Sequence, residues 1–222
     1  MKRPGCTFHS TWEYALDSAK GFPGRIERWN NLRRGTVLQP AETLTPAFLV
    51  ARPQPDEYAP YYERYISLVP GEDILGALDQ QRRQTMMLLC SRDEADGDYR
   101  YAPGKWSAKE VLGHVCDSER IFAYRALRIA RADATPLASF EQDDYVKNGP
   151  YAQCKFTDVV EDFIAVRRAT ISMLRYLDEA AWVRRGVASG KEVTVRALAY
   201  MIAGHELHHR KILEEKYFVV GR

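Results

Sequence analysis

Three of the five histidines in the chain lie in the hexapeptide Gly204-His205-Glu206-Leu207-His208-His209. Residues four apart on an α-helix share one face, with about 5–6 Å between their Cβ atoms. His205 and His209 can therefore offer ring nitrogens to the same ion. Both belong to a helical stripe of apolar residues that is predicted to face a core, and His114 lies on a similar stripe earlier in the chain. The spacing predicts a metal site with His114, His205 and His209 as ligands.

The alternative is three core histidines that each have a separate partner. A buried polar group without a partner costs about 1–3 kcal/mol, and one divalent ion would satisfy all three imidazoles at once. Three nitrogen ligands with one position left open are typical of a catalytic site rather than a structural one. His208 points about 100° away from His209 on a helix, so we expect it to face solvent or to support the site from outside the ligand set.

The same peptide also matches HExxH, the zinc-protease pattern in which the glutamate acts as general base. We disfavour this interpretation, because such enzymes take a third ligand from downstream and only 13 residues follow His209. Glu206 is then expected to be a carboxylate on the helix surface or a hydrogen-bond partner of an imidazole N–H.

Three further residues are candidates for binding a substrate. Arg125 and Arg167 each fall on the apolar stripe of a predicted helix, where a guanidinium must be paired or must extend to the surface. Pairing with an acid of the bundle is the structural alternative, and binding of an anionic thiol or a carboxylate is the functional one. Asp117, three residues after His114, would orient that histidine or line the cleft; solvation is the alternative.

The hydrophobic periodicity predicts four amphipathic helices, over residues 72–90, 107–131, 157–178 and 194–217. Ser107 with Glu110 forms a capping box, and Thr157 and Thr194 are predicted N-caps. Residues 132–155 form a long connection, and no segment shows a clear strand alternation. Four such helices joined by a long crossover indicate an all-α fold, a four-helix bundle.

Residues 1–57 are predicted to be an irregular extension, with residues 58–222 forming the bundle. Prolines and glycines interrupt every run in the first 49 residues, so we expect this stretch to have little core of its own and to be dispensable for folding. One hypothesis is that translation naturally starts at Val50.

The composition is that of an ordinary globular protein, with 45% hydrophobic and 28% charged residues. A net charge of +2 with scattered basic residues gives no basic face for nucleic acid. No apolar run is long enough to span a membrane, and no secretory signal is evident. The four cysteines lack CxxC spacing and are predicted to be reduced thiols of a cytoplasmic protein.

The segment from Trp106 to Arg120 resembles the second-helix signature of the DinB-like (damage-inducible) metal-binding family, and His205 to His209 resembles its closing HxxxH motif. Tyr62 to Gly71 and Phe140 to Tyr145 are similar to the bacterial branch of that family. The resemblance covers about residues 58–219.

This resemblance implies an up-down-down-up four-helix bundle in which His114, His205 and His209 hold one divalent ion, zinc or nickel, with iron as a further option. It also implies relatives that use low-molecular-weight thiols, such as bacillithiol transferases and mycothiol-dependent isomerases. We therefore predict a metal-dependent thiol S-transferase with a small-molecule thiol and an electrophile as partners, and a homodimer. The alternatives are a metal-dependent hydrolase and a non-enzymatic stress-response module with a structural metal.

Overall fold

The computed structural model describes residues 50–219, and these residues lie in the unit of the chain that begins at Leu49. Four long helices dominate it: α2 (Ile74–Cys90), α4 (Ala108–Ala130), α6 (Phe156–Leu174) and α8 (Val195–Ile212). Four short helices lie between or before them: α1 (Glu63–Ile66), α3 (Glu94–Asp98), α5 (Gln142–Asn148) and α7 (Glu179–Trp182). None of the described helices is long and apolar enough to cross a membrane.

The long helices surround a common core. Helix α4 packs against α6 and α8, and α2 packs against the same two helices on the other side. The Tyr217 hydroxyl, just after α8, donates to the carbonyl of Trp106, just before α4, at 2.8 Å, so α4 and α8 are antiparallel. Lys109, at the start of α4, donates to the carbonyl of Cys154, just before α6, at 3.0 Å, so α4 and α6 are parallel.

Helices α2 and α8 also run in the same direction. The carbonyl of Gly71, before α2, meets the hydroxyl of Tyr200 in the first part of α8. Further along both helices, Gln84 accepts a hydrogen bond from Arg210 at 2.9 Å. The chain therefore runs up in α2, down in α4 and α6, and up in α8, which confirms the predicted up-down-down-up bundle.

The helix termini partly follow the predicted caps. Ser107 and Glu110 form the capping box at the start of α4, and Thr194 caps α8. The prediction for α6 is wrong, because that helix begins at Phe156 and Lys155 occupies its N-cap position without a side-chain bond. There the carboxylate of Glu94 accepts the free N–H of Phe156 at 2.8 Å, so a residue from α3 performs the capping.

A small antiparallel hairpin, β1 (Arg185–Ala188) and β2 (Lys191–Thr194), precedes α8, although no strand alternation was clear in the sequence. Each strand has only four residues, too few for a periodicity to stand out. Ser189 and Gly190 connect them with φ values of 53° and 71°, the positive pair that a tight two-residue hairpin turn requires. The Ser-Gly dipeptide was the available signal.

Residues 50–57, assigned to the extension from sequence, contact the bundle. Val50 is buried, and Arg52 donates to the carbonyl of Ile66 at 2.9 Å. Glu57 is buried and forms an ion pair with Arg196 of α8. Residues 1–49, which are the stretch predicted to be dispensable, and residues 220–222 lie outside the described residues.

Candidate metal centre

The structure brings His114, His205 and His209 together where the beginning of α4 packs against the last turns of α8. His114 lies in the second turn of α4, and the other two lie one turn apart near the end of α8. The Nε2 atom of His205 is 3.1 Å from Nε2 of His114 and 3.1 Å from Nε2 of His209. One nitrogen from each of the three lies within 4.8 Å of the others, and no further His, Cys, Asp or Glu among residues 50–219 joins them.

Hydrogen bonds among the three rings cannot satisfy this arrangement. A neutral imidazole nitrogen carries either one proton or one lone pair, so Nε2 of His205 can bond to one neighbour and not to both. A cation at the point where the three nitrogens converge would accept a lone pair from each. Two ligand nitrogens of a tetrahedral zinc site lie about 3.3 Å apart, close to the separations here. The donor set therefore fits a divalent transition-metal ion.

Burial keeps the three imidazoles in the form that can bind a metal. Removal from water lowers the pKa of His114 to about 4, although the negative charge of Asp143 acts in the opposite direction. Burial, together with the neighbouring histidines, also holds the pKa of His205 and of His209 well below 6.5. The rings are then neutral at physiological pH, and neutral imidazole is the ligating form.

His208 lies outside the cluster. It is partly exposed, and its ring packs edge-on against Tyr65 with 5.4 Å between centroids. Glu206 also points away from the ligands, because it is buried and accepts a hydrogen bond from Thr85 of α2. The expectation that Glu206 lies on the helix surface is wrong, and burial raises the pKa of its carboxyl.

Aromatic side chains surround the three histidines. Tyr65 of α1 packs against His205 at 5.3 Å, Trp106 packs against His114 at 5.1 Å, and Phe122 approaches His205 at 6.2 Å. Tyr65 can lie there because α1 crosses α8 at Gly204, where a Cβ atom would meet the Tyr65 carbonyl oxygen at 2.0 Å. A glycine next to His205 thus allows the close approach of the helix that covers the three histidines.

Two cavities open beside the histidines. The first has a volume of about 290 Å³, and its lining includes His114, His205, Ser118, Tyr61 and Tyr62. The second has a volume of about 300 Å³ and is lined by His209, Trp106, Tyr101 and Tyr217, among others.

Asp143 of α5 lines both cavities, so the same carboxylate belongs to the walls of the His114 cavity and of the His209 cavity. Sequence reasoning did not single it out. The sequence feature that could have indicated Asp143 is the acidic segment Phe140 to Tyr145 in the long connection, in which no residue had been assigned a role.

The structure places Arg167 and Asp117 away from these two cavities. Arg167 is completely buried in the core and paired with Glu119 at 2.9 Å, which is the pairing that the sequence offered as the structural alternative. Asp117 accepts a hydrogen bond from Tyr151 at 2.7 Å and lies near Arg120. Arg125 is buried and lines a third cavity, of about 370 Å³, which adjoins the first.

Comparison with known proteins agrees with the fold. No curated protein matches the chain. Among solved structures, YfiT from Bacillus subtilis, described as a probable metal-dependent hydrolase with an unusual four-helix bundle topology, is 13% identical with a TM-score of 0.56. That match covers 75% of this chain and 91% of YfiT.

Two further structures are similar. The mycothiol-dependent maleylpyruvate isomerase is 14% identical with a TM-score of 0.56, over 70% of this chain and 63% of the isomerase. The DinB-like protein YjoA from Bacillus subtilis is 23% identical with a TM-score of 0.50, over 67% of this chain and 92% of YjoA. The family model of the DinB superfamily matches residues 77–213, which contain all three histidines. The chain belongs to the DinB superfamily.

Proposed function

We propose that the chain binds one divalent ion, zinc or nickel, through His114, His205 and His209, with iron as a further option, and transfers a low-molecular-weight thiol to an electrophile. The observation that carries this proposal is the convergence of three Nε2 atoms between two cavities. A cytoplasmic location and a homodimer stay predictions from sequence.

The arrangement favours catalysis over a structural role for the ion. Structural zinc sites are closed by four protein ligands, whereas catalytic sites use three and leave a position for water or substrate. Among residues 50–219, three ligands converge and no fourth is present. A small molecule in either cavity could therefore reach the open position.

A divalent ion bound there would act as a Lewis acid that lowers the pKa of a thiol or water in its open position. The protein's own residues supply the surroundings. Tyr65 and Trp106 cover the histidine rings and limit access of bulk water. We propose that a carboxylate oxygen of Asp143 accepts the proton released by the thiol, because Asp143 lines both cavities.

Hydrolysis is the second candidate function. YfiT is described as a probable metal-dependent hydrolase, whereas the isomerase is named as mycothiol-dependent, and both have this fold. Water and a thiol would compete for the same open position, so the histidine geometry is compatible with either reaction.

The test begins with the metal content of natively purified protein. The loaded protein is then assayed with a panel of thiols against monobromobimane and, in parallel, with an activated ester without thiol. We expect thiol-dependent bimane conjugation that is lost in the His209→Ala variant and retained in His208→Ala. Ester cleavage alone would favour the hydrolase, and a bound ion with neither activity would favour the stress-response module.

A further inference from the structure

Arg125 is a buried cation without an acidic partner in the described part of the chain. Only 3% of its surface is exposed, and no carboxylate of residues 50–219 lies within ion-pair distance. Arg167, the other buried arginine of the described residues, has one, since it pairs with Glu119. A buried charge is costly unless something compensates it.

The neighbours of Arg125 are neutral. Nη2 donates to the carbonyl of Ala138 at 2.6 Å and to the hydroxyl of Ser189 at 3.0 Å. A guanidinium has five N–H donors, so three remain on Nε and Nη1, and the Tyr62 hydroxyl accepts a hydrogen bond from one of them. Burial lowers the pKa of Arg125, and Tyr62 only partly opposes that effect.

The cavity beside Arg125 shares a wall residue with the cavity beside His114. Its lining also includes Phe140 and Arg128, and Phe140 belongs to the wall of the His114 cavity as well. The Arg125 guanidinium carbon lies 5.9 Å from the Phe122 ring, and that ring lies 6.2 Å from the His205 ring. These two distances put the guanidinium within about 12 Å of a metal ligand.

We propose that Arg125 recognises a carboxylate group of the substrate. This carboxylate would lie in the cavity next to the metal centre, up to about 10 Å from the substrate atom that reacts at the ion. A carboxylate would supply the missing negative charge and accept a charge-assisted hydrogen bond from a remaining N–H group of Nε or Nη1. The charge of Arg128 is already matched by Asp133, so Arg125 provides the free cation of this cavity within the described residues. This inference rests on the proposed function, because that function sets where the reacting atom of the substrate lies.

The experiment uses a series of thiols as a molecular ruler. Protein loaded with Co²⁺ is titrated with ω-mercaptoalkanoic acids of two to eleven carbons and with the matching ω-mercapto alcohols. Binding is followed by the change in the visible spectrum of the cobalt. We expect the acids of about six to eight carbons to bind about tenfold more tightly than their alcohols, the effect of one charge-assisted contact.

Three variants distinguish recognition from structural support. Arg125→Gln should abolish the preference for the acids and leave the affinity of the alcohols within about twofold. Ser189→Ala removes one hydrogen bond of Nη2 but keeps the cation, so it should retain the preference. Arg120→Gln removes a charge from the same helix at a surface ion pair and should also retain it. A preference that survives in Arg125→Gln, or that is absent from the wild type, would overturn the proposal.

A second measurement separates this inference from the proposed function. Octanoate needs no ion, so it should raise the melting temperature of metal-free wild type but not of Arg125→Gln, and octanol should have no such difference. If no thiol changes the cobalt spectrum while octanoate binds through Arg125, the thiol reaction fails and the carboxylate site stands. If thiols bind the cobalt but neither assay depends on Arg125, the carboxylate site is wrong and the thiol reaction stands.

Discussion

Arg167 donates its Nε–H group to both carboxylate oxygens of Glu119, at 2.9 and 3.0 Å, and neither side chain is exposed to solvent. The pair joins α6 to α4, and Glu119 lies five residues after His114 on α4. Nη1 of Arg167 also reaches the Leu78 carbonyl and the Gln81 side chain of α2, at 3.2 and 3.3 Å. One buried guanidinium thus connects three helices of the bundle.

Breaking this pair from one side should be strongly destabilising. Arg167→Met leaves the Glu119 carboxylate buried and unpaired, and we expect a loss of about 3–5 kcal/mol in the free energy of unfolding. The double variant Arg167→Met/Glu119→Leu should recover most of the loss, because no isolated charge then remains. Urea denaturation of the two single variants and the double variant checks this. Additive losses would show that the two residues do not interact.

The fold could be predicted because the helices carry strong periodic signals. The stripes of α2, α4, α6 and α8 are long enough to stand out, and a capping box marks the start of α4. The start of α6 could not be predicted, since Glu94 caps it from a distant position in the chain. The hairpin was missed because each of its strands has only four residues, and part of its support comes from the long connection, where Leu137 donates to the Val187 carbonyl at 2.9 Å.

Gly204→Ala should disturb the cover of the metal centre. The new Cβ atom would meet the Tyr65 backbone at 2.0 Å, and two backbones cannot yield as a flexible side chain can. We expect a loss of about 1–3 kcal/mol in stability, with α1 displaced from α8. Tyr65 fluorescence or hydrogen exchange of residues 63–66 would report the displacement. An unchanged exchange pattern and unchanged stability would contradict the close crossing of α1 and α8.

Glu57 should make stability depend on pH in the acid range. Burial alone would raise the pKa of its carboxyl, but hydrogen bonds from Arg196 and Thr194 outweigh burial and hold the pKa below 4.5. A carboxyl with a lowered pKa in the folded state stabilises the protein above its unfolded pKa, and that contribution disappears as the pH falls through the folded value. The unfolding free energy of wild type should therefore decrease below about pH 4.5.

Glu57→Gln lacks the titrating group and is the matched comparison. At pH 7 it should be less stable than wild type by about 2 kcal/mol, the value of a hydrogen bond to a charged group. The difference should shrink as the pH falls below 4.5. A constant difference from pH 7 to pH 3 would mean that folding does not shift the pKa of Glu57. Because residues 50–57 include Glu57, removal of residues 1–57 should also lower the stability of the protein more than removal of residues 1–49.

The convergence of the histidines could be partly anticipated because helical spacing alone puts His205 and His209 on one face. Their approach to His114, 91 residues away from His205, depends on the packing of α4 against α8. Asp143 and Tyr65 could not be placed in this way, since they lie on the short helices α5 and α1, whose positions are set by tertiary contacts. The neutral surroundings of Arg125 likewise appear only when the connection and the hairpin are placed around it.

The histidine variants should divide into two classes. His114→Ala, His205→Ala and His209→Ala each remove one of the converging nitrogens and should sharply lower the metal content of purified protein. His208→Ala should retain the metal, because its ring packs on Tyr65 outside the cluster. Metal analysis of all four variants, with circular dichroism to confirm folding, provides the measurement. Equal metal loss in all four would refute the assignment of His208.

Metal removal should lower stability without unfolding the protein. Two clusters of buried apolar side chains form the core, and each fully buried side chain is worth about 1.5–3 kcal/mol. The ion is therefore not needed as the source of folding energy, whereas in a zinc finger it is.

At a hundredfold excess over its dissociation constant, the ion would add about 2.7 kcal/mol to the free energy of unfolding. For a chain of this size, such a change corresponds to about 5–10 °C in melting temperature. Chelated and metal-loaded samples at pH 7.5 should therefore differ in Tm by that amount while the helical circular-dichroism signal at 25 °C persists in both. A chelated sample that is already unfolded at 25 °C would show that the ion is structural, which would remove the main support for an enzyme. Identical melting curves would show that the three histidines do not bind an ion tightly.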